Sequence, residues 1–130
     1  MKIAAGIPAF NEEKNIGLLI VELLKIVDFV IVCNDGSNDN TGIIAKKMGA
    51  VVVNHERNLG YGAGIKSLFL KARELGVDVL VTLDADGQHR FEDVDTVLGP
   101  IMNHETDIVI GSRFLNQNQQ QIPSYRKAGI

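Results

Sequence analysis

Two aspartates one residue apart, Asp84 and Asp86, close the run Val79-Leu80-Val81-Thr82-Leu83 and are followed by Gly87-Gln88-His89. The run is apolar and rich in β-branched residues, so it reads as a buried strand that breaks into a polar turn. In extended backbone, residues i and i+2 point to the same side, so both carboxylates can face one space. Paired negative charges repel, and a divalent cation is the usual way to keep both ionised. Hard oxygen ligands suit Mg²⁺ or Mn²⁺, ions that also bridge to phosphates. The alternative is a solvated Asp-Gly turn capping the next helix. Position favours the first: ligands of open α/β sheets bind at the carboxyl ends of strands.

Polar clusters recur at three other places of this kind. Pro8-Ala9-Phe10-Asn11-Glu12-Glu13 follows the apolar run Ile3–Ile7 and reads either as a strand stop with a helix cap or as backbone and Glu12 lining a nucleotide pocket. Asn34-Asp35-Gly36-Ser37 ends the run Phe29–Cys33, as a turn or as a site where Asp35 accepts from the N–H groups of a base. Gly111-Ser112-Arg113 follows Ile108–Ile110, and Arg113 is suited either to a phosphate clamp or to a surface ion pair.

Other candidates are weaker. Gly60-x-Gly62-x-Gly64 lacks the dinucleotide spacing and lies in the third strand–helix unit, so close packing of a helix start explains it better than pyrophosphate binding. Asn58 and Lys66 are near enough in sequence to touch a ligand there, as are Gln88 and His89 beside the aspartate pair. A lone histidine is usually structural, and His55 and His104 have no ligand-like spacing. Cys33 sits in an apolar run with no activating neighbour in the sequence, which predicts a buried thiol rather than a nucleophile.

The elements that must position these groups alternate regularly. Strands are expected at Ile3–Ile7, Phe29–Cys33, Val51–Val53, Val79–Leu83 and Ile108–Ile110. The first helix is expected from an Asn11 cap, with Glu12 and Glu13 in its first turn, through Ile16, Leu19, Ile20, Leu23 and Leu24 to about Ile26. A short second helix, capped by Asp39 or Asn40, runs through Ile43, Ile44 and Met48 to Gly49. The third presents Ile65, Leu68, Phe69 and Ala72 and stops at Gly76. The fourth covers Phe91–Met102, with a kink or break at Pro100. Apolar strands alternating with amphipathic helices predict an α/β fold: a mostly parallel sheet with helices on both faces.

Bulk properties bound the rest. The 130 residues, 45% hydrophobic and 22% charged, suit one globular domain. A net charge of −3 argues against a nucleic-acid partner. The apolar runs are too short to span a bilayer. Residues 116–130, with glutamine at four of the five positions 117–121, read as a linker opening onto a further segment.

The ordered set Pro8–Glu13, Asn34-Asp35-Gly36-Ser37-x-Asp39-x-Thr41, Asn58-x-Gly60-x-Gly62-Ala63, Asp84–His89 and Gly111-Ser112-Arg113-Phe114 resembles the family-2 glycosyltransferases, in the branch of dolichyl- or polyprenyl-phosphate mannose and glucose synthases. The resemblance covers nearly the whole chain. It implies a GT-A fold, a Rossmann-like nucleotide-sugar-binding domain here spanning residues 1–115. It further implies a donor of the GDP-mannose or UDP-glucose type, Mg²⁺ or Mn²⁺ held by Asp84 and Asp86, and transfer of a hexose to a lipid-phosphate or saccharide acceptor. Pro8, Phe10 and Glu12 would line the nucleoside site, with Asp35 near the base. Asp84, Asp86 and Gln88 would serve the diphosphate, and Arg113 would help hold it or an acceptor phosphate. Asn34, Tyr61 and Arg90 depart from the family pattern, where Asp, a basic residue and Pro are common. The location implied is cytoplasmic, with peripheral membrane association through a further segment. An aspartyl-nucleophile phosphatase is the competing enzyme class, although its D-x-D-G is expected after the first strand. A chain that binds nucleotide-sugar without transferring it is the competing non-enzyme reading.

Overall fold

The computed structural model describes residues 1–86, 94 and 98–100. Met1–Phe91 forms one compact unit. Its sheet consists of β1 (Ile3–Ala9), β2 (Phe29–Asp35), β3 (Val51–His55) and β4 (Val79–Thr82), joined by helices α1 (Ile16–Leu23), α2 (Thr41–Lys47) and α3 (Tyr61–Glu74). All pairings are parallel, in the order β3-β2-β1-β4. The chain winds one way from β1 through β2 to β3 and then returns to place β4 on the other side of β1. The β1/β4 boundary is therefore the topological switch point, where a crevice opens at the strands' carboxyl ends.

Side-chain alternation divides the core. Ala4, Ile31 and Cys33 face α3, whose Leu68 and Ala72 complete a buried cluster with Phe29, Val51, Val53 and Leu80 around it. Ala5, Ile7, Val30 and Val32 alternate with these and are buried on the opposite face. There α1 buries Ile16, Ile20 and Leu23, and α2 packs on α1, β2 and β3. Helices thus cover both faces, as the sequence pattern predicts.

The first three strands run further than apolarity alone marks. β1 continues through Pro8 to Ala9, although it is an inner strand. Parallel pairing explains how. The carbonyls of Lys2 and Gly6 accept from Val79 and Leu83, so even-numbered residues of β1 direct their backbone toward β4. Pro8 looks the same way, and the last β1–β4 pair is Gly6 with Thr82. The missing N–H thus faces the switch-point opening and costs no ladder bond.

The helices correct several expectations. α1 begins at Ile16 rather than after Asn11, because Asn11–Glu13 are engaged by the loop that follows β2, and it ends at Leu23 rather than near Ile26, leaving Leu24 exposed. On α2, Thr41 and Ala45 are buried while Ile43 and Met48 are exposed, so its inner face is not the one predicted from its large apolar residues. On α3, Phe69 is exposed for the same reason: the sheet takes Leu68 and Ala72. Gly49 and Gly76 lie just past α2 and α3 with positive φ, as their predicted role as stops requires. In the second unit, Val94 and residues 98–100 are helical, Pro100 included. The predicted strand at Ile108–Ile110 and the 115/116 boundary lie outside the described residues.

Candidate functional site

The loops after β1 and β2 are built as one body. Asn11, at φ 53°, donates its N–H to Ser37 Oγ at 2.9 Å, and its side-chain Oδ1 accepts from Asn38 N at 2.8 Å. Glu12 N donates to Thr41 Oγ1 at 2.9 Å, and Glu13 exchanges bonds with Asp39 and Asn40. Asp39 accepts from both the N–H and the hydroxyl of Thr41. Desolvation raises the pKa of Asp39, but the bonds from Thr41 and Glu13 outweigh it and hold the carboxyl below its ordinary range. Much of the motif Asn34-Asp35-Gly36-Ser37-x-Asp39-x-Thr41 thus serves to join two loops. Asn34 follows suit, donating from Nδ2 to Asn54 Oδ1 on β3 at 3.0 Å.

Asp35 looks the other way. It ends β2 on the α3 face, where the parallel register pairs it with His55 at the end of β3. The carboxylate is buried, 6% exposed, and its Oδ1 lies 2.7 Å from His55 Nδ1. Leu59 N donates to Oδ1 at 2.8 Å and Gly60 N to Oδ2 at 3.0 Å. Burial raises the pKa of Asp35, but these backbone donors and His55 prevail and depress it. The loop before α3 is thereby drawn onto β2. Gly36 permits the approach: at φ +72°, a Cβ there would meet the backbone of Arg57 and Asn58 at 2.4 Å.

Between these loops opens a cleft of about 200 Å³, lined by Pro8, Ala9 and Phe10 from the end of β1, Asp35 from β2, and Asn58, Gly60, Tyr61 and Gly64 from the start of α3. Three residues expected at a nucleoside site, Pro8, Phe10 and Asp35, are brought together here. Glu12 is not among the lining residues. It accepts from Asn15 Nδ2 through its carboxylate and from Asn15 and Ile16 N through its carbonyl, starting α1. Gly64 is buried where α3 packs on the sheet, and a Cβ there would make ordinary contacts with Pro8 and Cys33; Gly62 has open space around it.

Asp84 and Asp86 follow β4 on the far side of the switch point. The strand ends at Thr82, one residue earlier than expected, and the aspartates sit at a turn. The burial rhythm still separates the chain into two sides: Leu83 and Ala85 are buried, Asp84 is half-buried and Asp86 is exposed. Desolvation and the charge of Asp84 both raise the pKa of the Tyr61 phenol, so an aspartate of the pair and a wall of the cleft share one electrostatic environment. Among the described residues no three His, Cys, Asp or Glu side chains gather into a metal-binding group. Gln88, His89 and Arg113 lie outside the described residues.

The family model for glycosyl transferase family 2 matches residues 5–127. The chain belongs to that family. It is 36% identical to a UDP-N-acetylglucosamine–dolichyl-phosphate N-acetylglucosaminyltransferase of Methanococcus voltae over 95% of this chain and 57% of that protein. It is 33% identical to a dolichyl-phosphate hexose transferase of Haloferax volcanii over 98% of this chain and 54% of that protein. Glucosyl-3-phosphoglycerate synthase of Mycobacterium tuberculosis, solved with Mn²⁺, UDP-glucose and phosphoglyceric acid, superposes with a TM-score of 0.66 at 28% identity, covering 80% of this chain and 40% of that one. The fold is thus the GT-A type, related to the dolichyl- and polyprenyl-phosphate sugar transferases. The chain spans about half the length of these relatives. No helix among the described residues is long and apolar enough to cross a membrane.

Sequence reasoning missed two members of the site. His55 is the partner of Asp35, and its other nitrogen, Nε2, lies 2.7 Å from Ser67 Oγ on α3. The available signal was its place: a polar residue two positions after Val51–Val53, on the same sheet edge as Asp35. Tyr61, noted only as a departure from the family pattern, is a cleft wall. Cys33 has His55 Nε2 3.5 Å from its sulfur, a neighbour invisible in the sequence. Burial, reinforced by the charge of Asp35, nevertheless pushes the thiol up to about 11, so it is no nucleophile at neutral pH.

Proposed function

We propose that this chain is the nucleotide-sugar-binding part of a metal-dependent, inverting hexosyltransferase whose acceptor is a polyprenyl phosphate. The observation that carries the reading is the cleft that gathers Pro8, Phe10, Asp35 and Tyr61 at the carboxyl ends of β1 and β2, the same sheet edge at which Asp84 and Asp86 follow β4. A nucleoside against Pro8 and Phe10 would direct its diphosphate toward the aspartate pair. A carboxylate offers about four lone-pair directions, and protein donors engage three on Asp35, which leaves one for an N–H of the base. Glu12 supports this wall from behind, through Thr41 and the start of α1.

The donor set suits Mg²⁺ or Mn²⁺. Asp84 and Asp86 are two hard oxygen ligands at the exposed rim, and such ions commonly take one or two carboxylates and complete their shell from substrate phosphate and water. When bound, the ion supplies Lewis-acid stabilisation of the leaving diphosphate. Arg113 and Gln88 are assigned to the same phosphates in this reading. A phosphate acceptor is already ionised and needs no general base, whereas a hydroxyl acceptor would need one. The two dolichyl-phosphate transferases among the relatives support the lipid-phosphate class, and the Mn²⁺–UDP-glucose complex supports the metal and donor class.

Calorimetry with UDP- and GDP-sugars, with and without Mn²⁺, is expected to show metal-dependent binding of one of them. No binding of either in the presence of Mn²⁺ would overturn the proposal. A second reading is binding without transfer; a parallel turnover assay with polyprenyl phosphate separates the two.

A further inference from the structure

His55 is buried, its side chain 10% exposed, and lies between Asp35 of the cleft and two groups outside it, Ser67 and Cys33. Nδ1 meets Asp35 Oδ1 at 2.7 Å, Nε2 meets Ser67 Oγ at 2.7 Å, and Cys33 Sγ lies 3.5 Å from Nε2. A carboxylate only accepts, so Nδ1 carries the proton and donates to Asp35. In the neutral ring Nε2 accepts from the Ser67 hydroxyl, which fixes the tautomer. Ser67 sits in the middle of α3, so the imidazole is braced by a helix that is itself packed on the sheet.

The brace leads to the cleft. Asp35 spends its remaining bonds on Leu59 N and Gly60 N, the residues that deliver the chain into α3. Gly60 and Tyr61 then form the wall opposite Pro8 and Phe10. Without the Nδ1 donor, Asp35 loses the contact that sets its rotamer, and the carboxylate is released toward the cleft it borders.

We propose that His55 is a positioning residue for the nucleotide cleft: braced by Ser67, it aims the Asp35 carboxylate at the Leu59 and Gly60 amides and so sets the wall formed by the start of α3. The inference rests on the reading of this cleft as the nucleoside site, and it adds to that reading the device that shapes it. His55 touches no substrate in this scheme.

Two replacements separate its two nitrogens. In His55→Asn the amide takes the place of Nδ1 and keeps the donor to Asp35; in His55→Gln the longer side chain places its amide nearer Nε2 and Ser67. The 130-residue chain is first read without ligand, by the amide resonances of Leu59 and Gly60, whose protons are shifted downfield by the carboxylate. His55→Gln is expected to move both upfield and His55→Asn to leave them nearly in place. Nucleoside-diphosphate affinity in Mn²⁺ is expected to fall about tenfold in His55→Gln, the scale of one hydrogen bond to a charged group, and to recover in His55→Asn. With turnover assayed, the loss is expected in KM rather than kcat. Equal amide shifts in both variants, or none in either, would overturn the proposal. Amide shifts as expected in a chain that binds no nucleotide would overturn the reading of the cleft while supporting the relay from His55 to Gly60.

Discussion

Asp35 and the pair Asp84–Asp86 stand at the same edge of the same sheet, yet they are put to opposite uses. Asp35 is buried, and backbone N–H groups and an imidazole hold it from within the protein. Asp84 and Asp86 leave their strand beyond the last β1–β4 pair, half-buried and exposed respectively. Residue type and strand end are the same; what differs is which neighbours arrive. Across β2 stands β3, whose loop folds back over Asp35. Across β4, toward β1, the switch point leaves a gap. A carboxylate enclosed by donors organises its own loop, and in the proposed reading the pair at the gap organises a ligand.

Replacing each kind of acid should break different properties. Asp35→Ala strips a buried imidazole and two amides of their acceptor, and is expected to lower unfolding stability by about 3 kcal/mol in a urea titration. Wild-type stability in that variant would show the loop to be held by other means. Asp86→Ala is expected to leave the urea midpoint unchanged and to weaken Mn²⁺-dependent nucleotide binding by about a hundredfold or more. Undiminished affinity in the folded variant would remove the pair from the proposed site.

Smaller changes sharpen the contrast. Gly36→Ala combines positive φ with a Cβ 2.4 Å from the Arg57–Asn58 backbone, and should cost about 2 kcal/mol, read as a lowered Tm. Acid should also report on Asp35. Its folded-state pKa is depressed, so the stability it contributes is present above the ordinary carboxylate range and is lost as pH falls through the depressed value. Stability measured on the acid side should therefore fall with pH in the wild type and fall less steeply in Asp35→Asn. Gly62→Ala should have the smallest effect: the position is helical with open space, so a gain of up to about 1 kcal/mol with unaltered nucleotide affinity is expected. A loss of affinity there would restore a phosphate-cradling role for the glycine-rich segment.

The alternation of elements was legible because a covered parallel strand must be apolar throughout and a surface helix must be apolar on one side. Helix faces were less so. Leu68 and Ala72 are buried as expected, but Ile43, Met48 and Phe69 are exposed and α2 buries Ala45, because the angle at which a side chain leaves the helix decides burial as well as its hydrophobicity. The start of α1 was misplaced because Asn11–Glu13 have cap chemistry, and a neighbouring loop competed for the same hydrogen-bonding groups.

From residue order alone came the alternating α/β pattern, the family motifs in their sequence, and the grouping of acids at strand ends, since periodicity and turn chemistry are local properties. Only the tertiary structure set β4 beside β1, paired Asp35 with His55, and distinguished the enclosed carboxylate from the less buried pair. Those outcomes depend on which strands become neighbours, and a parallel crossover joins residues whose separation along the chain holds no local trace of the contact.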